Sequence, residues 1–130
     1  MSIRCIASGL ILMIAASCQS TDETARKELD LVAVWTQTAR RGAEAWSEGK
    51  VPSDYAQRLA RATVDQMHRS ERRLRTLGRA ADGDRTAALA AAASEMEQAI
   101  QSGDRGRSEN ALRRLASAGA PLETARQNAQ

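Results

Sequence analysis

This chain has to build its core almost without aromatic side chains. Trp35, Trp46 and Tyr55 are the whole aromatic complement, 2% of the sequence, and there is no phenylalanine. Alanine and leucine must therefore supply most of the buried surface. Small and unbranched side chains suit closely packed helices and make poor material for a β-sandwich. Proline occurs only at Pro52 and Pro121, so long helices are permitted. The two cysteines, Cys5 and Cys18, offer no pair within residues 18–130, so packing alone has to hold a domain built from them.

Apolar residues recur at helical spacing through most of the chain. From about Asp22 to Glu48, Leu29, Val32, Trp35, Thr36, Ala39, Ala43 and Trp46 share one face at 100° per residue. Gly49 to Pro52 breaks that helix, and Ser53 is placed to cap the next. The second helix is expected from Ser53 to Leu77, with Ala56, Leu59, Ala60, Thr63, Met67, Ser70, Leu74 and Leu77 as its stripe. Gly78 to Gly83 reads as a turn, with Asp84 as N-cap of a third helix from Arg85 to Ser102. That helix buries Leu89, Ala92, Ala93, Met96, Ala99 and Ile100. Gly103 to Gly106 reads as a loop. A fourth helix from about Ser108 carries Ala111, Leu112, Leu115, Ala118 and Leu122, with Gly119-Ala120-Pro121 set to kink or end it.

Helices of similar length joined by short loops pack as antiparallel neighbours. The expected fold is all-α: a small up-down four-helix bundle. A three-helix bundle with a loose C-terminal piece is the alternative. A helical repeat is disfavoured, since no 34-residue period is present.

The bundle follows a segment of different character. Met1 to Arg4 carries one positive charge, and Cys5 to Ser17 carries none. That apolar stretch is too short for a membrane span, which needs about 20 residues. A charged start, a short apolar run and small residues at its end form the pattern of an export signal. Ala15-Ala16-Ser17-Cys18 resembles the lipobox of bacterial lipoproteins, with Ala15 where that family favours leucine. The resemblance implies cleavage before Cys18 and lipid attachment to it. The organisation expected is a signal peptide at 1–17, a lipidated polar tether at 18–22 and the helical bundle at 23–130. With Gln19 after the cysteine, the resemblance also implies an outer-membrane location facing the periplasm. Ala15 and Ser17 suit an ordinary signal peptidase at the same bond, and that alternative stays open.

The second half also resembles cytochrome c-prime, a periplasmic four-helix haem protein. Ser102-Gly103-Asp104 is similar to that family's turn before its fourth helix, Arg126 to a later arginine, and Glu48 to Asp54 to its first turn. Where the haem-binding cysteines and histidine should fall, this chain has Ala118, Pro121 and Leu122. None of these can form a thioether or ligate iron. No cofactor is expected.

The net charge of +3 hides a local excess. Seven arginines lie between Ser53 and Ala80, against Asp54, Asp65 and Glu71. Projected on a helix, Arg58, Arg61, Arg69, Arg72 and Arg79 fall opposite the Leu59–Met67–Leu74 stripe. Such a face can bind anionic lipid head groups or an acidic envelope partner. It can equally be a solvated face neutralised by acidic neighbours. Nucleic acid is excluded as a partner for an exported chain.

His68, the one histidine, projects onto the arginine side. Asp65 precedes it by three residues, but one Asp-x-x-His falls far short of a di-iron bundle's ligand set. No metal site is expected, and His68 reads as a surface residue. Trp35 and Trp46 lie on the core face, either lining a ligand pocket or anchoring the core. No nucleophile–base–orienter set can be assembled. The expected role is thus a non-enzymatic, membrane-anchored interaction or structural module, with a periplasmic small-ligand carrier as the alternative. The sequence assigns no oligomeric state.

Overall fold

The computed structural model describes the backbone of residues 2–128 and the side chains of 20–124, 126 and 127. The features read from the side chains of 1–17, and the Cys18 side chain itself, lie outside the described residues. Four helices make up the fold: α1 (Ser2–Ser47), α2 (Ser53–Thr76), α3 (Ala80–Ser102) and α4 (Arg105–Asn128). The described residues contain no strand.

The three turns repeat one device. After α1, α2 and α3, a glycine at φ +74°, +76° and +70° (Gly49, Gly78, Gly103) reverses the backbone in the left-handed region. The residue after each glycine donates its N–H five residues back: Lys50 to Ala45, Arg79 to Leu74 and Asp104 to Ala99, at 2.8–2.9 Å. Each glycine N–H reaches three residues back, to Trp46, Arg75 and Ile100. These paired bonds satisfy carbonyls that a helix end leaves open, and glycine adopts the required φ without a Cβ penalty. Turns this short force the helices antiparallel.

Ion pairs follow the same geometry. Asp22, among the first described side chains of α1, meets Arg79 just beyond the end of α2. Asp30 meets Arg126 at the end of α4. Arg61 of α2 reaches Glu97 of α3, and Arg114 of α4 reaches Glu95. In cyclic order α1 to α4, the α2–α3 seam is the most extensive of the four and the α1–α4 seam the least. The architecture is an all-α up-down four-helix bundle.

Most of the predicted stripes form the core, while Trp35, Leu59, Leu77, Leu112 and Ala118 are half-buried at its edge. Val32, Met67, Leu74, Leu89, Met96, Ile100 and Leu115 are fully buried. Alanines fill the space between them, among them Ala39, Ala60, Ala93, Ala99 and Ala111. Small side chains bring the helices close. At Gly42 of α1, a Cβ would lie 2.5 Å from Leu59 Cδ2 of α2, so the leucine side chain occupies the space a side chain at 42 would need.

Several boundaries differ from the sequence reading. α3 begins at Ala80, not Arg85, because the turn needs only Leu77 to Arg79. Gly83 is therefore buried inside a helix, where Arg75 Cγ would stand 2.8 Å from an added Cβ. Asp84 is not an N-cap. It lies a turn inside α3 and pairs with Arg75 at 2.9 Å. Ser53 does not cap α2: its Oγ accepts from Trp46 Nε1 at 2.9 Å, since a buried indole N–H requires a partner. α4 begins at Arg105, three residues early, with Asp104 Oδ1 accepting from the Arg107 amide. The helix continues through Pro121, which sits on its exposed side while Leu115 and Leu122 anchor either flank. Residues 19–22, read as a tether, lie within α1, since no proline or glycine interrupts the chain between Gly9 and Gly42.

Candidate functional site

The arginine face of α2 is built by the stripe that opposes it. Ala56, Ala60, Thr63, Met67, Ser70 and Leu74 are buried, which turns positions 58, 61, 69 and 72 outward. The bundle neutralises part of that face. Arg61 donates from Nε to Glu97 Oε1 at 2.9 Å. Arg79, beyond the end of α2, donates to Asp22 Oδ1 at 2.5 Å. Arg73 lies 3.6 Å from Glu28, and Arg75 holds both Glu71 and Asp84. The hydrogen bond Arg75 donates to Asp84, followed by that to Glu71, raises the Arg75 pKa above its ordinary value. Arg58, Arg69 and Arg72 have no ion pair among the described residues and are exposed. The face of five is thus an open strip of three, with Asp54 and Asp65 beside it.

His68 is exposed, and its Nδ1 lies 3.5 Å from Glu71 Oε2. It makes no metal cluster: no three metal-ligating side chains converge among the described residues. Trp46 is buried and ties α1 to α2 through Ser53, while Trp35 is half-buried. A groove on the bundle surface is lined by neither tryptophan.

That groove lies between α1 and α4, with a volume of about 590 Å³. Val34, Arg40 and Arg41 of α1 and Ala116, Gly119 and Ala120 of α4 form its walls. Leu89, Leu115 and Leu122 stand behind them. Arg126 also reaches it, but its guanidinium is held by Asp30 at 2.7 Å and Glu123 at 2.9 Å. The Asp30 hydrogen bond chiefly raises the Arg126 pKa, against the opposing effect of burial.

The sequence reading missed Glu28, which is 5% exposed. Ser70 Oγ donates to its Oε1 at 3.3 Å, and Gln66 Nε2 donates in turn to Ser70 Oγ. A signal was present. A helical projection places Glu28 among Ala25, Val32 and Ala39, within the apolar stripe of α1.

Comparison with known proteins finds no family model, no curated relative and no solved structure that matches the chain. No helix among the described residues is long and apolar enough to cross a membrane.

Proposed function

We propose that this protein is a non-enzymatic module of the bacterial envelope, anchored through a lipid on Cys18, whose bundle meets anionic lipid head groups with the basic end of α2. The observation that carries the reading is the Arg79–Asp22 pair. Asp22 lies four residues beyond Cys18, so the end of α2 that holds Arg69, Arg72, Arg73 and Arg75 shares one end of the bundle with the anchor. A lipid at Cys18 brings that end to the membrane surface. A basic side chain near an anionic surface contributes about 1 kcal/mol to binding. The lipid that the lipobox resemblance implies is a diacylglyceryl group, whose two acyl chains anchor without help, so a basic patch nearby adds an orienting contact with the surface. Arg69 and Arg72 are the side chains at that end left open to give it.

The full chain, expressed in a bacterial host, is expected to yield a membrane-bound species beginning at Cys18 and heavier than its sequence by an attached lipid. An unmodified Cys18 thiol removes the anchor. For the head-group contact, residues 18–130 carrying Cys18→Ser, without leader or lipid, are prepared, and their partitioning onto vesicles with and without anionic lipid is measured. Arg69→Gln and Arg72→Gln should each lower partitioning onto anionic vesicles roughly fivefold, following from ~1 kcal/mol per charge. Equal binding to neutral vesicles, or no effect of either substitution, refutes the head-group contact.

A further inference from the structure

The α1–α4 groove combines features that the bundle does not need for its own stability. It follows the least extensive of the four seams between neighbouring helices. Its volume of about 590 Å³ falls within the roughly 300–1,000 Å³ usual for small-ligand sites. Val34 stands on its wall at 60% exposed, a large apolar side chain left in water. Across from it, Ala116, Gly119 and Ala120 of α4 form a stretch of small side chains, with Leu122, Glu123 and Arg126 larger beyond it. At Gly119 an added Cβ would lie 3.9 Å from Thr36 Cγ2 and 4.0 Å from Leu89 Cδ2. The missing side chain thus leaves the groove open down to the core.

Both ends of the groove are polar: Arg126, beside Asp30 and Glu123, closes one, and Arg40 and Arg41, roughly three turns further along α1, stand at the other. Arg126 is committed to Asp30 and Glu123. Arg40 and Arg41 have no ion pair among the described residues. A guanidinium presents parallel N–H donors that match a carboxylate or phosphate. An apolar slot ending at two uncommitted arginines fits a molecule with one hydrocarbon chain and one anionic head. Covering Val34 and the small-residue wall with such a chain removes apolar surface from water, at about 25 cal/mol per Å². A neutral chain would gain that burial and leave both guanidinium groups without an anionic partner.

We propose that the α1–α4 groove binds a single-chain anionic amphiphile, its hydrocarbon chain against Val34, Ala116 and Gly119 and its head group at Arg40 and Arg41. The site is separate from the α2 strip and does not depend on the anchor.

The test titrates palmitate below its aggregation concentration into residues 18–130 carrying Cys18→Ser, so that neither an attached lipid nor the apolar leader competes. Lysophosphatidylglycerol and hexadecanol are run in parallel. Saturable binding of one palmitate or one lysophosphatidylglycerol per chain is expected, with hexadecanol at least tenfold weaker. The tighter of the two anionic ligands distinguishes a carboxylate head from a phosphate head. Arg40→Gln with Arg41→Gln should weaken the anionic ligands at least tenfold and leave hexadecanol unchanged. Ala116→Trp, at an exposed position, should abolish binding of all three while circular dichroism shows an intact bundle. Equal affinity for hexadecanol and palmitate, or undiminished binding in Ala116→Trp, overturns the proposal. So does concentration-dependent dimerisation that Val34→Glu removes, since the groove would then be a contact between two copies.

Discussion

The hydroxyl of Ser70 donates to the carboxylate of Glu28 across the α1–α2 interface, Oγ to Oε1 at 3.3 Å, with both residues buried. Gln66 Nε2 donates to Ser70 Oγ at 3.3 Å, and Arg73 Nη1 stands 3.6 Å from the other carboxylate oxygen. A buried carboxylate is tolerated when its oxygens have partners, and the cost appears when one is removed. Ser70→Ala should therefore destabilise the bundle by about 1–3 kcal/mol, read as a lower urea midpoint at constant slope. Glu28→Leu combined with Ser70→Ala should be closer to neutral than Ser70→Ala alone, since replacing both partners by apolar groups leaves no buried polar atom without a bond. A double variant that loses more than about 3 kcal/mol would show that the carboxylate is needed for the fold.

Trp46 and Trp35 should report separately in fluorescence. Trp46 is 7% exposed with its indole N–H bonded to Ser53, whereas Trp35 is half-buried. Trp46→Phe should leave a single, red-shifted emission from Trp35 and cost about 0.5–1.5 kcal/mol for the lost hydrogen bond. Trp46→Ala should cost about 3–5 kcal/mol, because the remaining core consists mainly of alanine and leucine and cannot collapse around the gap. A blue-shifted spectrum in Trp46→Phe would contradict the assignment of Trp35 as the wetter residue.

Pro121 lies inside α4 and on its exposed side. A proline within a helix removes one backbone donor and crowds the carbonyl four residues earlier, here that of Ser117. Its neighbour Leu122 is 3% exposed, and Leu115 two turns earlier is fully buried. Packing on both sides therefore carries the helix through a residue that disfavours it. Pro121→Ala should raise stability by up to about 3 kcal/mol and leave the fold unchanged. A thermal melt with no upward shift would mean that α4 gains nothing from the restored bond.

The stripes of α1 to α4 were legible because burial on one side of a helix demands apolar residues every three to four positions. Met67, Leu74, Leu89, Met96, Ile100 and Leu115 could all be named from spacing alone, and each is fully buried. The glycines of the three turns were also visible, since few other residues tolerate a positive φ. Local boundaries were less legible. Asp84 and Ser53 have the chemistry of caps, yet Arg75 and Trp46 claim their oxygens. A capping residue can be recognised by type, but its competitors come from other parts of the fold.

The α2 arginines show the same division. Their position opposite the core follows from sequence, because 100° per residue sets both faces at once. Which of them remain open does not follow. Glu97 and Asp22, 36 and 57 residues from their partners, take Arg61 and Arg79, while Arg58, Arg69 and Arg72 are left to solvent. The α1–α4 groove was not visible at all. Val34 and Arg40 belong to one helix, Ala116 and Gly119 to another, and nothing in either segment alone marks a concavity. Periodicity in this sequence determined four amphipathic helices and the faces they bury. The tertiary structure decided which charges cancel and which seam stays open, because both depend on side chains that meet only when helices distant in sequence pack together.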